Sequence, residues 1–199
     1  MGKDQQPSDT RERFIQAATR LFSERGFYGA SMDQIAREVG LTKQAMIHHF
    51  GTKEKLYGAV LEDISERLMD ELAKQGKETP VTFPESIQQI FRYTRKNPLE
   101  SRVLMRELLD NRSRTNRAGR WYLKPFLDRL NGALKETGAW HKASDADIAA
   151  RVYQLLGAIS YFEVSTATLE AMYSSEQVKS MTEAYPELLA QLADLPPGG

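Results

Sequence analysis

The chain has 199 residues, enough for one or two domains with a real core. Its 27 Lys and Arg balance 27 Asp and Glu, which excludes a polycation that coats nucleic acid, so any such affinity must be local. There is no cysteine, which removes disulfides, thiolate metal sites and cysteine nucleophiles; no apolar run approaches a membrane span and MGKDQQPSDT lacks the apolar core of a signal peptide, so a cytoplasmic protein is expected.

Asp9 and Glu12 predict the start of a first helix that runs to about Arg25. Its Phe14, Ala17, Ala18, Leu21 and Phe22 make a broad apolar stripe, and Gly26 stops it. Residues 31 to 50 then spell two short helices and a tight turn. Ser31 with Gln34 is a capping box, Ile35, Ala36 and Val39 face inward, and Gly40 supplies the positive φ that ends the helix. Thr42 caps the next helix, which turns Ala45, Met46, His49 and Phe50 inward and leaves Lys43, Gln44, Ile47 and His48 on the other side.

That outward side has the chemistry of a helix that enters a major groove, where N-terminal residues meet base edges first. Gln44 can pair with an adenine edge, Lys43 can reach guanine acceptors or a phosphate, and Ile47 offers an apolar surface to a thymine methyl. His48 can donate to a phosphate, and Ser31 and Thr42 sit at helix N-termini, where hydroxyl and backbone N–H groups suit an anion. An ordinary helical hairpin with a solvated polar face is the competing reading, and exposed Ile47 counts against it. Local charge is modest: residues 1 to 60 hold nine Lys and Arg against seven Asp and Glu, which suits a specific dimeric binder better than a coating protein.

Residues 10 to 57 resemble the DNA-binding domain of the tetracycline-repressor (TetR) family of bacterial transcription regulators. The matching frame is Gly26-Phe27, Ala30-Ser31, Ile35-Ala36, Val39-Gly40-Leu41-Thr42, Met46, His49-Phe50, Lys53 and Leu56 in one ungapped register. The family usually has a tyrosine that touches the DNA backbone where this chain has Ile47. The resemblance implies a double-stranded DNA operator as partner, with Lys53 placed to meet a phosphate, and a homodimer that presents two reading helices roughly 34 Å apart to a palindromic site.

Onward, every segment reads as helix. Thr52 caps a helix from Lys53 to about Lys74, with Leu56, Tyr57, Val60, Leu61, Ile64, Leu68 and Leu72 at core spacing, long enough to leave the first unit and enter a second. Residues 75 to 84 are a loop by composition, Thr82 and Pro84 start a helix, and Asn97-Pro98 ends it and begins the next. Further helices are expected at 98–111, 116–137, 144–173 and 175–193, with Ser144 and Ser174 as N-caps of the last two. The expected architecture is all-α: a three-helix DNA-binding domain with its helix-turn-helix over 1–52, and a helical ligand-binding and dimerisation domain over 53–199.

The last two helices carry Ile148, Val152, Leu155, Leu156, Ile159 and Phe162, then Val178, Met181, Tyr185, Leu188, Leu189 and Leu192. These stripes either build a homodimer interface, as the resemblance implies, or close the monomer's own core. Met105, Leu109, Trp121, Tyr122, Phe126, Tyr153, Tyr161, Phe162 and Thr166 are candidate lining for a small-molecule inducer, with core packing the alternative for each. Arg106, Arg112, Arg114, Arg117 and Arg120 read either as a solvated loop face or as a rim for an anion; Glu163 reads as the partner of a cation or of an arginine. No cofactor, metal site or enzyme is expected: the adjacent His48 and His49 point to different sides of a helix, and no nucleotide loop or serine elbow appears. A ligand-responsive repressor is therefore the leading expectation, and a constitutive DNA-binding protein or helical adaptor the alternative.

Overall fold

A computed structural model describes residues 7–75, 81–110 and 122–197, and among these it contains nine helices and no strand. In order they are α1 (Pro7–Gly29), α2 (Met32–Glu38), α3 (Lys43–Phe50), α4 (Lys53–Gln75), α5 (Phe83–Lys96), α6 (Pro98–Asp110), α7 (Lys124–Lys135), α8 (Asp145–Met172) and α9 (Ser175–Asp194). The chain divides into two compact units. One is formed by the described residues of Met1–Ile64 and Arg102–Tyr122, the other by those of Ser65–Ser101 and Leu123–Gly199. The division runs through α4 and through α6, so the first unit continues beyond the expected boundary at residue 52 to Ile64 and takes most of α6. The cause is packing: Leu56, Tyr57, Val60 and Leu61 are buried, and the Tyr57 ring meets Phe22 and Phe27 edge-on at 4.8 and 5.2 Å.

In the first unit α1 is bent at Gly26, whose φ of 68° and ψ of 177° interrupt the helix where the sequence stops it. The bend lets Phe27 stack on Phe22 at 6.3 Å. All five residues of the expected α1 stripe are buried, joined by Ile15. Two side chains tie α1 to α2: Arg13 donates to the carbonyl of Val39 at 2.7 Å and Arg20 pairs with Glu38 at 2.8 Å. Arg106 of α6 donates to the carbonyls of Ser23 and Glu24, at 2.9 and 2.8 Å, and so caps α1 just before its bend. Gly58 of α4 admits the ring of Tyr122; a Cβ there would sit 2.9 Å from Tyr122 Cζ, too close for any other residue without moving the ring.

In the second unit α5 packs on α8 and α9, and α7 on α8 and α5. The capping box of Thr82 and Glu85 opens α5, with Pro84 in its first turn, and Asn97 closes it. A ring cluster of Phe91, Phe162 and Tyr185 fills the space between α5, α8 and α9, with centroids 4.3 to 5.6 Å apart. Trp140, buried in the turn before α8, donates its indole N–H to the carbonyl of Leu195 at 3.0 Å and holds the end of α9. The helix expected over 116–137 is described only from Lys124, with Pro125 in its first turn; residues 116–121 lie outside the described residues. Among the described residues no helix is long and apolar enough to cross a membrane.

Candidate nucleic-acid interface

The turn between α2 and α3 is closed by backbone bonds that a helix end with glycine makes available. Gly40, at φ 70°, donates to the carbonyl of Arg37 at 3.0 Å, and Leu41 donates to that of Ala36 at 3.0 Å, the paired bonds of a Schellman motif. At the start of α2 the hydroxyl of Ser31 accepts from the Gln34 N–H at 3.2 Å, while the Gln34 amide oxygen accepts from the Ser31 N–H at 3.0 Å. The hydroxyl of Thr42 accepts from the Ala45 N–H at 3.2 Å and opens α3.

With its ends fixed, α3 is oriented by its inward face. Met46 and Phe50 are buried, Ala45 and His49 are half-buried, and the rings of Phe50 and His49 lie 6.2 and 5.8 Å from that of Phe14. This anchoring leaves Thr42, Lys43, Gln44, Ile47 and His48 exposed along the other side. Ile47 is 44% exposed, a branched apolar surface set among polar neighbours. Ser31 is half-buried beside them at the start of α2. Lys43 is engaged within the domain, its ammonium donating to Asp33 at 2.9 Å.

Lys53 is half-buried, its ammonium 4.6 Å from the ring centre of Phe27. Burial lowers its pKa, with the charge of Glu54 working in the opposite direction. Hydrogen bonds from the Glu54 N–H and the Thr52 hydroxyl hold the Glu54 carboxyl below its usual range, so this carboxylate stays charged beside Lys53.

The candidate ligand residues come from both units. Met105, Leu109 and Tyr122 belong to the first unit, where Leu109 is 71% exposed; Trp121 lies outside the described residues. In the second unit Phe126 and Phe162 are buried, Thr166 is half-buried, and Tyr153 and Tyr161 are 63% and 71% exposed. Along α8, Phe162 turns into the core of the second unit while Tyr153 and Tyr161 turn outward. Of the five arginines, Arg106 is the α1 cap described above, and the other four lie outside the described residues. Glu163 pairs with an arginine: Arg95 donates to it at 3.1 Å and to the Thr166 hydroxyl at 3.2 Å.

The interior of the second unit also holds polar groups that sequence reading passed over. Buried Glu100 accepts from the Tyr93 hydroxyl at 2.7 Å and pairs with Arg67 at 2.8 Å. Gln89 donates to the carbonyl of Glu71, while its own amide oxygen and the hydroxyl of Ser101 are buried with no partner among the described residues. The last two helices close much of this core themselves. Ile148, Val152, Leu155, Ile159, Phe162, Val178 and Leu189 are buried within the chain, Leu156, Met181, Tyr185 and Leu192 are half-buried, and Leu188 is exposed.

A capped helix pair, braced by α1 and offering one polar-apolar face, defines a helix-turn-helix protein on an all-α frame. Residues 14–60 match the family described as bacterial regulatory proteins, tetR family. Over 70 residues the chain is 31% identical to the transcriptional repressor AcnR of Corynebacterium efficiens, a stretch covering 35% of this chain and 37% of that protein. Over 66 residues it is 38% identical to the transcriptional regulator LmrA of Bacillus subtilis, covering 33% and 35% of the two. The match thus spans little more than a third of these relatives. Residues 14–60, which hold α2, α3 and most of α1, thus carry the N-terminal domain of the tetR family of bacterial regulatory proteins. Over nearly its whole length it shares a fold with the fatty acid degradation regulator FadR of Bacillus halodurans, with a TM-score of 0.68, 17% identity, and 94% and 97% of the two chains covered. FadR of Bacillus subtilis, solved with stearoyl-CoA, gives a TM-score of 0.66 at 20% identity, with 90% and 97% covered.

Proposed function

We propose that this protein is a ligand-responsive, DNA-binding transcriptional regulator, a homodimeric repressor released from a palindromic operator by a small-molecule inducer. The observation that carries the reading is the outer face of α3, where Lys43, Gln44, Ile47 and His48 are exposed while Met46 and Phe50 anchor the helix from behind. A helix so presented can lay its N-terminal residues against base edges, with Ser31, Thr42 and Lys53 on flanking phosphates.

Dimerisation is supported by the face that the chain's own core leaves over. On α8, Tyr153, Gly157 and Tyr161 recur every four residues and are all exposed; on α9, exposed Ala184 and Leu188 follow the same spacing. Tyr153 and Tyr161 suit this interface better than a ligand cavity. The inducer reading draws support from the FadR structure solved with stearoyl-CoA, a ligand that belongs to that protein. Release is a population shift: α4 and α6 each contribute to both units, so a ligand that favours one arrangement of the second unit biases the placement of the reading helices.

Selection of bound duplex from a random pool is expected to return a palindromic consensus, and a screen of compounds for release of that duplex is expected to find an inducer. Gln44→Ala should then cost about 1–3 kcal/mol and relax one base position in each half-site. Unchanged affinity and consensus in that variant would reverse the orientation given to α3. Retrieval of no duplex would sink the DNA reading, and a duplex that no compound releases would favour the constitutive alternative.

A further inference from the structure

The ion pair between Lys43 and Asp33 joins the first residue of α3 to the first turn of α2, with an Nζ to Oδ2 distance of 2.9 Å. Both side chains are about half exposed, at 46% and 55%, so the pair is not required to neutralise a buried charge. Exposed pairs of this kind contribute little to stability, so this one is weak enough to be exchanged for another partner. Packing does not explain the carboxylate either, since Asp33 is exposed. It nevertheless places a negative charge on the edge of a surface whose proposed partner is a polyanion.

We propose that Asp33 is a positioning residue that sets DNA specificity by restraining Lys43. The inference rests on the DNA-binding reading above. A lysine ammonium is a point charge on a flexible stem, and on any duplex the nearest acceptors are phosphates. Asp33 counters that tendency twice. It holds the ammonium at the start of α3, and its own charge opposes approach of the backbone. Where no guanine stands in register with Lys43, the duplex offers chiefly phosphates in exchange for the carboxylate. A site with guanine O6 and N7 in reach offers base-edge acceptors as well, so Lys43 leaves Asp33 with most gain where the sequence is right.

The test compares Asp33→Asn with the unaltered chain on two duplexes, the one selected from the random pool and one of scrambled sequence, across a salt series. Affinity for the scrambled duplex should rise about three- to tenfold as Lys43 is freed for a phosphate, and its salt slope should steepen by about 1. Affinity for the selected duplex should rise less, so the ratio between them falls. Asp33→Glu should keep most of the ratio. With Lys43→Met already in place, Asp33→Asn should leave the ratio unchanged, because the residue acts through Lys43. Equal gains on both duplexes, or the same fall in ratio with Lys43 absent, would overturn the assignment and make Asp33 a plain repulsive charge. An unaltered chain that captures no duplex would instead overturn the reading beneath it.

Discussion

Phe22→Ala is expected to cost about 3–5 kcal/mol and to abolish DNA binding by unfolding the reading head. Phe22 is 1% exposed and stands where the bent α1 meets α4: its ring stacks on Phe27 beyond the Gly26 bend and meets Tyr57 of α4 edge-on at 4.8 Å. Truncation removes the transfer energy of the ring, leaves a void, and breaks two aromatic contacts at once. The loss should be regional. Hydrogen exchange should show lost protection in α1, α2 and α3, while the amides of α8 and α9 stay protected in the second unit. A loss below about 1 kcal/mol would mean that the three rings do not hold the head together.

Arg95→Ala is expected to cost a similar amount, about 3–5 kcal/mol, for an electrostatic reason. Glu163 is buried on α8, and Arg95 is its counter-charge at 3.1 Å, also holding the Thr166 hydroxyl. Removing the arginine strands a buried carboxylate, whereas removing both charges strands nothing. The double variant Arg95→Leu with Glu163→Leu should therefore recover most of the loss in a urea unfolding series. If the double variant is no better than the single one, the cost lies in packing and the ion pair is incidental. Either result bears on the second unit alone, since both residues belong to it.

The helix ends of this fold were legible because each rests on a local, chemically specific signal. Ser31, Thr42, Thr82, Ser144 and Ser174 all cap the helices that they were expected to cap, and Gly26 and Gly40 take the positive φ their positions call for. The inward faces of α1 and α4 were legible for a similar reason, since a 3.6-residue stripe identifies a buried side. It does not identify what covers that side. Phe162 and Tyr161 are neighbours in sequence and equally aromatic, yet one is buried in the ring cluster and the other is 71% exposed. The Arg95–Glu163 pair spans 68 positions and has no local signature at all. Pro125 is a different case: its preference for a first helical turn was available in the sequence and marks the start of α7.

The hydroxyls of Ser31 and Thr42 each accept a hydrogen bond from a backbone N–H of their own helix, and this spends a lone pair while leaving the O–H proton in hand. Folding and anion recognition thus draw on opposite ends of one small dipole, so the same atom can close a helix and address a phosphate at once. Aspartate would close either helix about as well, but it has no proton to offer and adds a charge of the wrong sign. On the DNA-binding reading proposed above, a hydroxyl at these two positions therefore serves a phosphate where an equally good acidic cap would repel it.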